Sequence, residues 1–159
     1  MEPKGPTARG ASHVDCGPSS LYSCTLPNHR LLCEQLHELM ALARAGQQPL
    51  GLLLLGLDAA AVSVRRLLAA SQHRMISAMQ RLLGESDILV RLDDLDYAVL
   101  LAGACTTEAQ LIAASLLAAL QTYGAASAGT AVYPDDGTDA AALIDCAGRR
   151  RASVRARTV

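Results

Sequence analysis

Three aspartates within four residues, Asp93, Asp94 and Asp96, form the densest run of chemistry-bearing side chains in the sequence. Carboxylates are the hard oxygen ligands that magnesium takes, so an acidic tip of this kind could hold the metal of a magnesium-dependent enzyme. Two apolar arms, Ile88–Leu92 and Tyr97–Leu101, flank it. Apolar β-formers on either side of a short polar connection predict a β-hairpin. Aspartate suits the turn itself, because its carboxylate bonds nearby backbone amides and because it tolerates left-handed backbone. A solvated turn and an acidic interaction tip are both compatible with these residues.

Other clusters are weaker. His29, Cys33 and His37 fall four residues apart on a predicted helix, which suggests zinc. Eight helical residues span about 12 Å, and zinc–ligand bonds near 2 Å cannot gather all three on one ion. A pair could share a site; otherwise Cys33 is core or boundary filling and the histidines are solvated. His13 and Cys16 lie in the Pro-, Gly- and Ser-bearing stretch Met1–Ser20, which is expected to be a disordered leader without the rigid support a metal needs. Arg149, Arg150 and Arg151, with Arg155 and Arg157, could grip phosphate. No aromatic residue is interleaved among them for base stacking, which argues against nucleic acid. The alternative is a solvated helix end favoured by the dipole.

The elements that must position these residues follow from composition and period. The chain has 159 residues, 51% of them hydrophobic, with no Trp or Phe, so a single core must be built from Leu, Ala, Val and Ile. A net charge of -1 argues against a chain that coats nucleic acid or membrane. The apolar run Leu50–Leu57 falls far short of the roughly 20 residues of a membrane span, and Met1–Ser20 has no apolar segment of the secretory kind. Five scattered cysteines without a C-x-x-C pair read as reduced thiols of a cytoplasmic protein.

Leu26-Pro27-Asn28 opens a helix capped by Asn28, with Leu31, Leu32, Leu36, Leu39 and Met40 at helical spacing up to Ala45-Gly46. Leu50–Leu57 is a strand buried on both faces. Ala59–Gly84 is helical, with Leu67, Leu68, Met75, Ile76, Met79, Leu82 and Leu83 as its apolar stripe. After the hairpin, Thr106 or Thr107 caps a helix to Tyr123 whose buried face holds Leu111, Ile112, Leu116, Leu117 and Leu120. Ala126–Tyr133 is a small-residue strand, Pro134-Asp135-Asp136-Gly137 a turn, and Asp139 to about Arg151 a last helix. The order predicts an α/β domain with one sheet of at least four strands covered by helices.

Leu26-Pro27-Asn28…Arg30, Leu52–Asp58, R-L-D-D-L-D-Y-A-V-L-L and A-G-T-A-V-Y-P-D-D-G-T-D resemble, in order and spacing, the GGDEF domain of diguanylate cyclases. The resemblance covers residues 21–157, after a leader of residues 1–20, and ends in a basic C-terminal stretch. It implies a mixed, mainly antiparallel central sheet of about five strands flanked by helices, similar to the palm of nucleotide cyclases. Active members join two GTP molecules into cyclic di-GMP across a dimer, with divalent metal neutralising phosphate charge.

The motif positions depart from that pattern. The leading metal-binding aspartate of the first strand is Gly56, and only Asp58, the second acid of that pair, remains. The signature reads Asp93-Asp94-Leu95-Asp96-Tyr97, with aspartates in place of the phosphate-admitting glycines and Leu95 in place of the metal-binding acid. The two guanine-reading positions fall on Val64 and His73, and the inhibitory-site R-x-x-D becomes Gly84-Glu85-Ser86-Asp87, leaving Asp87 alone. The Asp-x-Leu-Thr stretch that usually precedes Leu-Pro-Asn is Leu21-Tyr22-Ser23-Cys24. Each lost polar partner costs about 1–3 kcal/mol of ligand recognition. The expectation is a catalytically inactive GGDEF-like module without metal or cofactor. It would bind neither GTP nor cyclic di-GMP, and would act by contact with a protein of cyclic di-GMP signalling or an active cyclase in a bacterial cytoplasm. Asp93, Asp94 and Asp96 or the arginines are the candidate contact residues. The competing expectation is residual metal-dependent GTP chemistry with Asp58, Asp94 and Asp96 as displaced ligands.

Overall fold

The computed structural model describes residues 27–58 and 70–158. Its elements run α1 (Pro27–Gly46), β1 (Leu50–Leu57), α2 (Ala70–Arg81), β2 (Ile88–Arg91), β3 (Asp96–Ala102), α3 (Thr106–Gln121), β4 (Ala126–Tyr133) and α4 (Ala140–Thr158). The strands form one sheet in the order β2-β3-β1-β4. Every pairing is antiparallel, and the described residues supply four strands where about five in a mixed sheet were expected.

β1 lies in the middle because nothing in it needs water: all eight residues are Leu or Gly, and all are buried. Its alternating side chains feed two cores. Leu50, Leu52 and Leu54 pack with Ala98 and Leu100 of β3 beneath α1 and α4, against Leu32, Leu36, Leu143 and Ala147. Leu53, Leu55 and Leu57 pack with Tyr97, Val99 and Leu101 beneath α2 and α3, against Met75, Met79, Leu116 and Leu120. Full burial of each such side chain stabilises by about 1.5–3 kcal/mol. These two cores make the domain a sheet with helices on both faces. No helix of the described residues is long and apolar enough to cross a membrane.

The hairpin and both long strands fall where the pattern put them, but several details differ. α1 begins at Pro27, so Asn28 lies inside its first turn and donates to the Leu92 carbonyl at 3.5 Å instead of capping the helix. His29 is buried with Leu32, Cys33 and Leu36 on the sheet-facing stripe, against the expectation of solvated histidines, whereas His37 is exposed. Cys33 is disulfide-bonded, and Cys105 and Cys146 are free, so the thiols are not all reduced. Pairing depends on approach in space, which scattered spacing does not report. The predicted helix segment 59–69, with Val64, Leu67 and Leu68, lies outside the described residues. α2 stops at Arg81, which leaves Leu82 exposed. Cys105, not a threonine, precedes α3 in extended conformation, and its N–H donates to the Glu108 carboxylate at 3.0 Å. Ala109, Ala113, Leu116 and Leu120 form the buried face of α3, while Leu111 is 64% exposed. α4 continues to Thr158, so Arg149, Arg150 and Arg151 sit in mid-helix and not at a dipole-favoured end.

Candidate functional site

The hairpin tip is closed by its own side chains. The Asp93 carboxylate accepts from the backbone N–H groups of Leu95 and Asp96, both at 2.8 Å, which is the local bonding that favours Asp in turns. The Leu92 N–H donates to the Asp96 carbonyl at 2.9 Å and completes the turn. Asp94 is exposed and takes the Arg91 guanidinium, while the Gln72 side-chain amide donates to the Asp94 carbonyl at 3.1 Å. Asp93 and Asp94 are therefore engaged in building and neutralising the turn.

Asp96 faces a different environment. Strand register places Asp96 (β3), Gly56 (β1) and Ser127 (β4) side by side across the sheet, on the face that α4 covers. Arg151 reaches down from α4 into this row. Its Nη2 donates to Asp96 Oδ1 at 2.6 Å and its Nε to Ser127 Oγ at 3.0 Å. The Arg151 side chain is only 5% exposed, against 30% for Asp96, so water screens the pair weakly. α4 comes this close because β4 is made of small residues. A Cβ on Gly129 would strike the Ala147 carbonyl and the Arg151 backbone nitrogen.

Gly56 is the floor of the arrangement. A Cβ there would strike the Leu95 carbonyl oxygen and Asp96 Oδ1, and would come within 2.8 Å of Arg151 Nη2. The Leu95 carbonyl is itself held in place by the Leu57 N–H at 3.0 Å. A carboxylate at position 56 has no room beneath the guanidinium and the hairpin backbone.

A divalent ion needs several oxygen ligands converging on one point. Here Gly56 and Leu95 offer no side-chain oxygen, and Asp96 is committed to a guanidinium whose charge repels a second cation. Asp58 follows β1, with its N–H on the Ala125 carbonyl at 2.7 Å. Among the described residues no group of three or more His, Cys, Asp or Glu could hold a metal. The described residues of this row do not fit a magnesium ion.

The remaining candidate residues are dispersed. His73 is exposed on α2, and Val64 lies outside the described residues. Asp87 accepts from the Gly84 N–H at 2.8 Å, closing the turn before β2. Arg149 pairs with Asp145 at 2.8 Å. Arg150 forks onto both Asp136 oxygens, at 2.8 and 3.0 Å, and donates to the Thr130 carbonyl at 2.8 Å. The bonded Arg150 guanidinium, with help from the Val132 N–H, holds the Asp136 carboxyl below its ordinary range, and Asp136 in turn raises Arg150. Tyr97 is fully buried and its hydroxyl has no well-formed hydrogen bond. Burial pushes its pKa up, opposed by the Gln72 side chain and Arg91.

Sequence reasoning singled out Asp96 and Arg151 separately and missed that they meet, and it missed Ser127. The available signal was the run of Ala, Ser and Gly in β4, which leaves space for one long side chain from the helix above.

No protein-family model and no curated protein matches the sequence. Solved structures do match the fold. The GGDEF domain of TpbB (YfiN) from Pseudomonas aeruginosa superposes with a TM-score of 0.69 at 23% identity, covering 87% of this chain and 88% of that one. The active GGEEF domain of a diguanylate cyclase from Vibrio cholerae gives 0.65 at 12% identity, covering 80% of this chain and 90% of that one. The diguanylate cyclase SiaD of Pseudomonas aeruginosa, solved in complex with its activator SiaC, gives 0.64 at 16% identity over 80% of this chain and 54% of that one. The chain has the fold of GGDEF domains.

Proposed function

We propose that this chain is a catalytically inactive GGDEF-fold domain that works by contact with another protein of cyclic di-GMP signalling. One observation carries the reading. The row where the family places a metal-binding carboxylate holds Gly56, roofed by the Leu95 carbonyl and by the Arg151 guanidinium on Asp96. A fixed organic cation there supports the fold but leaves no cation to bridge phosphates, which is the task metal performs in phosphoryl transfer. Leu95 at the second metal position and exposed His73 at a guanine position support the same reading. SiaD, solved with its activator SiaC, is a precedent for a chain of this fold held in a protein complex. The proposed partner is a component of the same pathway or an active cyclase, met in a bacterial cytoplasm.

Titration calorimetry with GTP and magnesium tests this directly. The expected result is no saturable heat up to millimolar nucleotide, and no pyrophosphate release in a coupled assay. Micromolar GTP affinity or metal-dependent pyrophosphate release would overturn it.

A further inference from the structure

The C-terminal end of β3, the turn after it and the start of α3 line a shallow, open groove of about 380 Å³ with the residue that precedes β2. Its volume is at the small end of the roughly 300–1,000 Å³ typical of ligand pockets, so it suits a few side chains and not a whole cofactor. Leu101 and Ile112 give it an apolar wall, and the acidic residues Asp87 and Glu108 stand among its lining. Leu111, 64% exposed, stands among its lining residues as a large apolar side chain facing water. No lysine or arginine lines it among the described residues.

The chemistry of this lining selects one kind of occupant. Two carboxylates above an apolar wall repel phosphates and acidic peptides and favour a cation carried on an apolar stem. Each carboxylate already accepts one backbone N–H, Asp87 from Gly84 at 2.8 Å and Glu108 from Cys105 at 3.0 Å. These bonds fix the direction of each group and leave its second oxygen for a donor from outside. A lone exposed leucine is ordinary on a protein surface; a leucine at the lip of an acidic, apolar groove resembles the anchor of an interface.

We infer that this groove is a docking site for a partner-protein segment that places an Arg or Lys beside an aliphatic residue. This rests on the proposed role as a protein-contact module and names the surface and the chemistry it uses. The cation would lie between Asp87 and Glu108, and the aliphatic side chain would cover Leu111 and Ile112.

Panning a phage-displayed library of random dodecapeptides on the intact chain tests the inference. Enriched peptides are expected to carry Arg or Lys next to Leu, Ile or Val. A synthetic copy of the most enriched peptide should lose at least tenfold in affinity, by fluorescence polarisation, against Leu111→Ser and against Asp87→Asn. Both changes are at the surface, and circular dichroism confirms their folding. The affinity should also fall as salt rises from 50 to 500 mM. Acidic or purely aliphatic winners, no enrichment, or equal binding to the variants would overturn the docking site. So would a self-association, seen by sedimentation, that Leu111→Ser abolishes, since a second copy would then occupy the groove. None of these outcomes bears on GTP binding, so the calorimetric test of the proposed function stands apart.

Discussion

Arg151→Ala should be among the most damaging single changes in the domain, although the residue lies on a helix that composition alone would call basic and solvated. The substitution removes the 2.6 Å bond to Asp96 and the 3.0 Å bond to Ser127. A hydrogen bond to a charged group is worth about 1.5–3 kcal/mol. Breaking a fully buried pair costs about 3–5 kcal/mol, because it strands a charge. Asp96 is 30% exposed and recovers part of its hydration, which argues for the lower part of that range. The expected loss is about 3 kcal/mol. Urea unfolding followed by circular dichroism reads this as a midpoint lowered by about 1–2 M, for a slope of about 1.5–3 kcal/mol per molar. Arg151→Lys keeps the charge but not the fork that reaches Asp96 and Ser127 together, and should cost about 1 kcal/mol. A cycle of Arg151→Ala with Asp96→Ala should give a coupling of about 2 kcal/mol. A loss for Arg151→Ala within about 0.5 kcal/mol, the level of an ordinary surface change, would refute the assignment of a buried ion pair in the row of Gly56, Asp96 and Ser127.

Further expectations follow from neighbouring residues. Gly56→Asp should confer no metal binding and should destabilise by about 3 kcal/mol, because its Cβ strikes the Leu95 carbonyl; manganese titration and urea unfolding check both parts. Tyr97→Phe should leave stability unchanged or raise it by up to about 1 kcal/mol, since it deletes a buried hydroxyl without a good partner. Asp136 has a depressed folded pKa, so its contribution is full above the unfolded value of about 3.9 and is lost as pH falls through the folded one. Asp136→Asn should therefore flatten the decline of unfolding midpoint below about pH 4 while lowering the midpoint at neutral pH.

The fold was largely legible because its strongest signals are short and unambiguous. Leu50–Leu57 contains nothing but Leu and Gly, and Ala126–Tyr133 is bounded by turn chemistry, so both strands match their expected limits. Helix faces were read less well where apolar residues outnumber the places that bury them. Leu31, Leu82 and Leu111 fit a periodic stripe, yet each is exposed; on α3, small Ala109 and Ala113 take the buried face in place of Leu111. The residues of the site were legible one by one and not as an arrangement. Gly56, Asp96 and Arg151 are distant in sequence, and only strand register together with the close approach of α4 over Gly129 brings them together. Cys33 and His29 make the same point, since burial and pairing are set by neighbours that local spacing does not reveal.

The fork of Arg150 on Asp136 has a consequence for how this molecule behaves in a crowded solution. β4 borders the sheet, with β1 as its neighbour on one side. On the other side the Thr130 carbonyl is taken by Arg150, the Val132 N–H by the Asp136 carboxylate, and the Val132 carbonyl by the Asp136 N–H. A row of open amides on an edge strand of small residues would invite an extended chain to pair with it. Here two side chains and a turn have already answered those three groups, so the Thr130–Val132 part of this border is closed to a pairing strand.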